Sequence, residues 1–396
     1  MKTSIPNILY LHRTQGKGVE NVHILGIVNA FRALGSEVDI YSPSGLLLDG
    51  MSNESSSIVN GGLKENNFSK LSKYTPELVF EFLEIFYNLV AVWKLSKYGT
   101  EKYNLIFERY AIFSCVGLLI AKSKKIPFVL EINYTSRSPL VRKRSALLKP
   151  LAYALDKMIF KSANLLMPVS TSLQRELIEV FDVPENKILV LPNAADPASF
   201  YARGDYKPEN STKIIGFVGG FFPWHGLDLL VDAFNSIHTK FPEAQVMLVG
   251  DGPEFDRIKM KVETLGLSQK ISLIGRVTHQ NLPSMMQNFY MGVMPDSNDY
   301  GSPMKIFEYM ASGVPVIAPD YAPILDAIAC GKQGLVFKKG NVGDLSIKLS
   351  TLLADVNMAK KMGAAGRCSV DETYNWNANA AKILDALERL IPQRNQ

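Results

Sequence analysis

The apolar positions of this 396-residue chain fall into short, β-branched runs that are separated by helix-length segments. Apolar runs of about four to eight residues predict strands that are buried on both faces. The N-terminal half holds such runs at Asn7–His12, Glu37–Ser42, Leu105–Arg109, Pro127–Ile132, Leu165–Ser170 and Ile188–Asn193. The C-terminal half holds them at Lys213–Gly220, Gln245–Gly250, Ile271–Arg276, Met291–Pro295, Val314–Pro319 and Gly334–Phe337. The pattern therefore predicts two series of strands.

Amphipathic helices are predicted between many of these strands. In one of them, apolar residues recur at i, i+3, i+4, i+7 and i+10, namely Leu227, Leu230, Val231, Phe234 and Ile237. Strands that alternate with helices form parallel sheets with helices on both faces. Two such series predict an α/β fold of two doubly wound, Rossmann-like domains, with ligands at the carboxyl ends of the strands.

A polar stretch separates the two series. Residues Asp196–Thr212 are rich in proline, glycine, aspartate, asparagine and serine, a composition typical of a linker. We therefore place the boundary between an N-terminal domain of residues 1–200 and a C-terminal domain of residues 201–376. A serine-rich segment at Ser52–Asn67 predicts a loop inside the first domain.

Composition and charge narrow the possible classes of protein. Hydrophobic residues make up 47% and charged residues 20%, which excludes a disordered or collagen-like chain. The net charge of +5 is too small to favour a nucleic-acid partner. The three cysteines form no CxxC pair, so neither a cysteine zinc site nor a disulfide framework is expected. Without a signal-peptide pattern or a run of about 20 apolar residues, the sequence favours a cytoplasmic protein.

The segment Asp299–Pro319 carries the most chemical information. Ser302 is a suitable N-cap and Pro303 a suitable first residue for a helix from Met304 to Ala311. The free N–H groups and positive dipole end of such a helix can bind phosphate. Lys305 would add a cation, and Glu308 could accept hydrogen bonds from sugar hydroxyls. The alternative is a capped surface helix with an exposed lysine–glutamate pair.

A second segment, Ile214–Leu230, has a glycine turn between a strand and a helix. Gly219 and Gly220 end the strand, and such a turn lets a phosphate approach the backbone. His225, in the loop that follows, could supply a hydrogen bond or a positive charge. The alternative is a solvated histidine. Further along, the backbone at Arg276 and Val277 could read the edge of a base.

A third segment, residues 137–161, is basic and amphipathic. Its basic residues are Arg137, Arg142, Lys143, Arg144 and Lys149, and leucine or isoleucine recurs every four residues at 147, 151, 155 and 159. Such a helix can lie on an anionic membrane. We therefore predict peripheral contact with the inner face of the cytoplasmic membrane. The alternative is a packed surface helix with a solvated basic face.

Five segments together resemble a family-four retaining glycosyltransferase, a group also called glycosyl transferases group 1. They read GKGVENVHI with AFRALGSEVDIYSP, MPVSTSLQRELIEVFDVPENKILVLPNAADPASF, GFVGGFFPWHGLDLLVDAF, LVGDGPE, and SPMKIFEYMASGVPVIAP. The resemblance implies the GT-B fold, in which two Rossmann-like domains face a cleft and a C-terminal helix, here 377–396, packs back on the first domain. It also implies metal-independent transfer of a sugar from a nucleoside diphosphate, with UDP or GDP expected and no further cofactor.

The resemblance assigns roles to numbered residues. Glu308 matches a family glutamate that binds the ribose, and His225 stands where many members have lysine. Glu131, near a position that is often histidine, is the candidate for orienting the acceptor or for steadying the cation that forms on the sugar. With Lys305 and His225 it completes the catalytic candidates. The other donor-binding candidates are Gly219, Gly220, Arg276, Val277, Asp299, Tyr300, Gly301, Ser302, Pro303 and Met304. The acceptor-side candidates are Gly16, Gly18, Arg109 and Asn133.

The chain departs from the family pattern at two charged positions. Tyr300 stands where the first family glutamate would fall, and Asp299 precedes it by one residue. Glycine replaces an arginine at Gly219 or Gly220, so we expect Lys305 to supply the missing cation. These departures leave a non-catalytic partner protein of the same fold as an alternative, and a sugar-nucleotide epimerase as another. The expected acceptor is a glycan, a lipid-linked glycan or a natural product, with bacterial surface polysaccharide synthesis as the favoured setting.

Overall fold

The structure is a computed structural model that describes residues 6–14, 19–43, 45–47, 76–97, 99–139, 147–200 and 212–390. The chain forms two compact units. The first comprises Met1–Leu191 and Asn379–Gln396, and the second comprises Pro192–Ala378. Gly16, Gly18, the segment Ser52–Asn67 and the basic residues 142–144 lie outside the described residues.

The first unit is built on a six-stranded sheet with the order β3-β2-β1-β4-β5-β6. Its strands are parallel, apart from the antiparallel pairing of β2 with β3. They span β1 Ile8–Leu11, β2 Val38–Ser42, β3 Gly45–Leu47, β4 Leu105–Arg109, β5 Phe128–Ile132 and β6 Leu165–Pro168. The helices are α1 Val19–Ala33, α2 Glu77–Lys97, α3 Val116–Lys124, α4 Lys149–Ser162 and α5 Thr171–Glu179.

The strand predicted at Ile188–Asn193 is wrong. This segment runs beside β6, where Leu189 N donates to Leu166 O at 2.9 Å and Leu191 N donates to Pro168 O at 3.0 Å. Pairing is limited to one bridge between Leu166 and Ile188. Pro168 has no N–H to return the next hydrogen bond, so the ladder cannot continue.

The second unit is built on a parallel six-stranded sheet with the order β12-β11-β10-β7-β8-β9. Its strands span β7 Lys213–Val218, β8 Ala244–Val249, β9 Ile271–Gly275, β10 Phe289–Val293, β11 Val316–Pro319 and β12 Gly334–Phe337. Its helices begin with α6 Leu227–Asn235, α7 Phe255–Thr264, α8 Leu282–Met286 and α9 Met304–Ala311. They continue with α10 Ala322–Leu325, α11 Val342–Ala354 and α12 Val356–Glu372. The last helix, α13 Trp376–Leu390, begins in the second unit and belongs to the first unit from Asn379 onward. The predicted doubly wound α/β class is confirmed.

The first residues of the predicted linker are held by the second unit. Arg367 on α12 donates to Phe200 O at 2.6 Å and to Pro197 O at 3.1 Å. Phe200 is also buried in a hydrophobic cluster of the second unit. Residues 192–200 therefore belong to the second unit, and the division at Leu191 precedes the expected boundary at residue 200.

In each sheet, later strands lie on both sides of the first strand, so the strand order reverses at that strand. In the first sheet, β1 lies between β2 and β4; in the second, β7 lies between β8 and β10. Ligands of doubly wound sheets bind at such switch points, beyond the carboxyl ends of the strands. The residues that follow β7 and β1 are therefore the first places to look for chemistry.

Candidate active site

Lys305 lies in the first turn of α9 with its ammonium group buried. Its Nζ has no hydrogen-bond partner among the described residues and lies 4.6 Å from the centroid of the Phe217 ring on β7. Burial lowers the pKa of Lys305 to about 8, although the nearby Glu308 charge acts in the opposite direction. The amine is therefore mostly protonated at neutral pH. Because a buried cation without a partner is costly, this position is suited to an anionic ligand.

Gly219, just after β7, gives the lysine its room. Its φ of +149° is rarely adopted by residues with a side chain, and a Cβ there would lie 2.7 Å from Lys305 Nζ. The glycine predicted to let a phosphate approach the backbone thus lies directly against the buried ammonium.

His225 lies in the loop that follows Gly219 and Gly220. Its Nδ1 donates a hydrogen bond to the carbonyl oxygen of Gly220. Burial lowers the pKa of His225 to about 3, and the charge of Lys305 adds to this effect. The unliganded ring is therefore neutral and carries its free lone pair on Nε2. Of the two contributions expected from the sequence, the hydrogen bond is available and the positive charge is not.

Ser302 does not cap α9 as predicted. Its Oγ accepts a hydrogen bond from Asn193 N at 3.0 Å, and Asn193 Nδ2 donates to Ser302 O at 2.5 Å. Pro303 occupies the N-cap position, and no side chain caps the helix. The hydroxyl is thus used to hold the preceding loop, and the positive end of α9 remains open to an anion.

Asn298 shapes the loop before the helix, a role that sequence reasoning missed. Its Oδ1 accepts hydrogen bonds from Tyr300 N at 3.1 Å and from Gly301 N at 2.6 Å. An asparagine that bonds to N–H groups two and three residues ahead is a common turn signal, and could have been read from the sequence.

Glu308 is buried one turn after Lys305. Its Oε1 lies 3.1 Å from His279 Nε2, and this hydrogen bond raises the pKa of His279. The alternative of an exposed lysine–glutamate pair on a surface helix is wrong, because the ammonium group of Lys305 and the side chain of Glu308 are both buried. His279 was not singled out from the sequence, since its position in a loop carried no pattern.

The remaining donor-side candidates have no described contact with the Lys305 ammonium. The Asp299 side chain is 78% exposed and lies 3.5 Å from Lys339 Nζ, so Lys339 is its ionic partner. Tyr300 is half-buried, which raises its pKa. Other candidates have simpler settings: Arg276 is exposed after β9, Val277 packs against a core cluster and Met304 is buried.

Two of the acceptor-side candidates, Arg109 and Asn133, are among the described residues and lie in the first unit beside the catalytic candidate Glu131. Glu131 on β5 accepts hydrogen bonds from Arg109 and Asn133, and its other oxygen lies 2.9 Å from His23 Nε2. Burial would raise the pKa of Glu131, but the charges and hydrogen bonds of these neighbours lower it to about 2. Glu131 is therefore ionised at neutral pH and holds its neighbours in place.

His12 and His23 belong to this cluster and were missed by sequence reasoning. His12 follows β1, and burial together with the Arg109 charge lowers its pKa to about 4. Its Nδ1 lies 3.1 Å from Thr14 Oγ1. The signal was available, because His12 directly follows the strand at the switch point of the first sheet.

Two features are absent from the described part of the chain. No group of three or more histidine, cysteine, aspartate or glutamate side chains is arranged to hold a metal ion. None of the described helices is long and apolar enough to cross a membrane.

Both halves of the chain match known protein families. Residues 18–199 match the family described as Glycosyltransferase Family 4, and residues 202–368 match the family described as Glycosyl transferases group 1. Together the two matches account for most of the sequence, and they meet close to the division between the two structural units.

Individual relatives agree with the family matches. An uncharacterized glycosyltransferase of Methanocaldococcus jannaschii is 27% identical over 83% of this chain and 87% of its own length. Sucrose-phosphate synthase from Thermosynechococcus elongatus has a similar fold, with a TM-score of 0.74, 19% identity and coverage of 97% and 99% of the two chains. HepE from Anabaena, solved in complex with UDP, gives a TM-score of 0.69 at 17% identity over 96% and 100%.

Proposed function

This chain belongs to the family-four glycosyltransferases of the GT-B fold, and we propose that it moves a sugar from a nucleoside diphosphate to an acceptor hydroxyl with retention of configuration. The observation that carries this proposal is Lys305, a buried ammonium without a hydrogen-bond partner in the described chain. A transferase that expels a nucleoside diphosphate needs a cation where negative charge develops.

The diphosphate of the donor binds at the uncapped N-terminus of α9. There the N–H groups and dipole of the helix, the ammonium of Lys305 and the open space at Gly219 are close together. Glu308 accepts hydrogen bonds from the ribose, and the backbone at Arg276 and Val277 contacts the base. We propose UDP or GDP as the carrier, and the UDP complex of the similarly folded HepE supports UDP as the first choice.

In the reaction, the bond between the sugar carbon and the diphosphate oxygen breaks first. Lys305 and the dipole of α9 stabilise the negative charge that develops on the departing oxygens. The acceptor hydroxyl then forms a bond to the sugar carbon on the same face. Its proton passes to the departing diphosphate, so no separate base is required. The bound diphosphate also favours protonation of His225 at Nε2, which lets that ring donate a hydrogen bond to it.

The acceptor is proposed to bind at the first unit, near the cluster around Glu131. Because the carboxylate is saturated by Arg109, Asn133 and His23, it acts by orienting them rather than by accepting a proton. We propose a glycan or lipid-linked acceptor, in bacterial surface polysaccharide synthesis. The enzyme would then work in the cytoplasm, in peripheral contact with the inner face of the membrane around residues 137–161.

A thermal-shift panel tests the donor assignment. UDP, GDP, ADP and TDP, each with and without a sugar, are added to the native protein and to Lys305→Met. One nucleotide should raise the melting temperature of the native protein, because it binds only the folded state. The shift should disappear in Lys305→Met and persist in Lys339→Met, which removes an exposed lysine. Stabilisation that survives in Lys305→Met would contradict the proposal. Binding without sugar transfer to any acceptor would favour a non-catalytic partner protein.

A further inference from the structure

Helix α2 of the first unit exposes its apolar face and buries polar residues on the opposite face. Six large apolar residues on it are between 43 and 64% exposed: Leu78, Val79, Phe82, Phe86, Leu89 and Trp93. At about 100° per residue and 1.5 Å rise, they cover an arc of about 100° and a length of roughly 20 Å. A helix that faces water carries polar residues on this side, so the outer surface of α2 is not built for water.

The polar residues Glu81, Glu84 and Asn88 of α2 face the protein. Glu81 is fully buried and accepts hydrogen bonds from Leu147 N at 2.9 Å and Leu148 N at 2.8 Å. Asn88 is buried too, and its amide donates to Phe113 O at 2.8 Å. Glu84 lies 3.6 Å from Arg13 Nη2. The carboxylates of the helix are therefore turned away from its apolar face, and the face carries no exposed acid.

Exposed cations lie at one end of the same face. Lys94 and Lys97 are in the last turn of α2, and Lys97 Nζ lies 3.5 Å from the centroid of the Trp93 ring. The adjoining chain adds two more exposed apolar residues, Leu147 and Leu151. Tryptophan beside lysine is typical of groups at the boundary between lipid headgroups and acyl chains.

We propose that the outer face of α2 inserts into the headgroup region of a bilayer that contains anionic lipid. A second copy of the chain fits this face less well, because symmetric pairing would bring Lys94 and Lys97 against a helix with no exposed acid. Anionic headgroups supply the missing negative charge, and the acyl boundary covers the phenylalanine, leucine and tryptophan side chains. The inference extends the proposed membrane contact and replaces the basic segment 137–161 by α2 as its principal surface.

Co-flotation with vesicles tests this surface. The full-length protein is mixed with vesicles of phosphatidylcholine and phosphatidylglycerol, or of phosphatidylcholine alone. The native protein should float with the anionic vesicles, and Phe82→Ser/Phe86→Ser/Leu89→Ser should lower the bound fraction at least about tenfold. The matched control, Met260→Ser/Ile347→Ser, removes two exposed apolar residues of the second unit and should float like the native protein. Circular dichroism and melting temperature check that each variant is folded.

Two further readouts locate the contact. Trp93 fluorescence should shift to shorter wavelength with anionic vesicles and be quenched by brominated acyl chains, and Trp93→Phe should lose both effects. Lys94→Glu/Lys97→Glu should weaken binding to anionic vesicles and leave the weak binding to phosphatidylcholine unchanged.

Three results would overturn the inference: a native protein that does not float, a triple variant that floats equally well, or a native dimer that dissociates in the triple variant. The last would identify a second copy as the occupant. Nucleotide-induced stabilisation reports separately on the proposed transferase, because Phe82, Phe86 and Leu89 lie outside the donor site. A native protein that is stabilised by nucleotide but does not float would therefore reject the membrane contact alone.

Discussion

Lys305 in the second unit and Glu131 in the first are buried groups of opposite charge, and of these two only Glu131 is hydrogen-bonded within the described chain. In the second unit, Lys305 has no hydrogen-bond partner in the described chain. In the first unit, Glu131 is hydrogen-bonded to Arg109, Asn133 and His23. A buried charge without a partner raises the free energy of the fold until a ligand neutralises it, whereas a satisfied charge fixes its neighbours. The comparison distinguishes Lys305, which we propose binds a ligand, from Glu131, which we propose positions its neighbours.

Replacing Lys305 by methionine should have the largest effect. The rate of nucleoside diphosphate release from the donor should fall by about 10²–10³-fold, because charge on the leaving group loses its cation. The measurement is steady-state release with the donor that the thermal-shift panel identifies. Retention of more than about a tenth of the rate would contradict the assigned role.

The same substitution should stabilise the protein without ligand. Burial lowers the pKa of Lys305 to about 8, so its charge destabilises the fold below that pH. Because the unfolded chain holds this proton more tightly, native stability should rise as the pH increases from about 8 towards 10.5. In Lys305→Met this rise should be absent, and urea unfolding at pH 7 should require up to about 3 kcal/mol more free energy. A less stable Lys305→Met would mean that the ammonium has a partner.

Replacing Glu131 by glutamine should have the opposite effect on stability. The buried Arg109 would lose its counter-charge, at a cost of about 3 kcal/mol in the free energy of unfolding. The pKa of Glu131 is lowered to about 2, so its stabilisation is complete above the usual glutamate pKa and is lost as the pH falls towards 2. Urea unfolding of native protein and Glu131→Gln at pH 7 and pH 3 measures this. A difference that does not shrink at the lower pH would contradict the account.

Gly219→Ala should destabilise the protein by about 1–3 kcal/mol, because a Cβ would meet Lys305 Nζ and the φ of +149° is unfavourable. The double variant with Lys305→Met sharpens the comparison. The charge is then absent, and part of the contact can relax. A double-mutant cycle by urea unfolding should therefore give a coupling free energy above about 0.5 kcal/mol, and strict additivity would contradict direct contact.

Ser302→Ala should have the smallest effect, about 1 kcal/mol, because one hydrogen bond from Asn193 N is lost. The matched control is Ser170→Ala at α5, where the serine does cap its helix by accepting from Leu173 N. Amide hydrogen exchange distinguishes the two. Protection in the first turn of α5 should fall in Ser170→Ala, whereas protection in α9 should be unchanged in Ser302→Ala.

Patterns that are local in the chain were predictable. The apolar runs located the strands of the second sheet, and the predicted bounds of α9, Met304–Ala311, match the observed ones although Ser302 does not cap the helix. The extra strand at Ile188–Asn193 was predicted wrongly because its pairing depends on the missing N–H of Pro168, a residue on another segment. Strand β3 was missed because three residues are too few to show a period.

Contacts between distant residues explain what the sequence did not reveal about the site. Ser302 is a residue type that often caps helices, but its hydroxyl instead accepts a hydrogen bond from the N–H of Asn193, 109 residues away in the sequence. Likewise, His279 contacts Glu308 of α9 from a loop that is distant in the sequence, and the neutral state of His225 follows from burial. The inverted polarity of α2 also needed the structure, because the sequence shows an amphipathic pattern without showing which side faces the protein.

The most direct test of the account is a calorimetric comparison of a nucleoside diphosphate with its nucleoside, using the native protein and Lys305→Met. If Lys305 awaits the diphosphate, UDP or GDP should bind the native protein at least about tenfold more tightly than uridine or guanosine, and Lys305→Met should remove most of that difference. Equal preference for the diphosphate in both proteins would contradict the central claim, because the buried ammonium would then make no contribution to binding it.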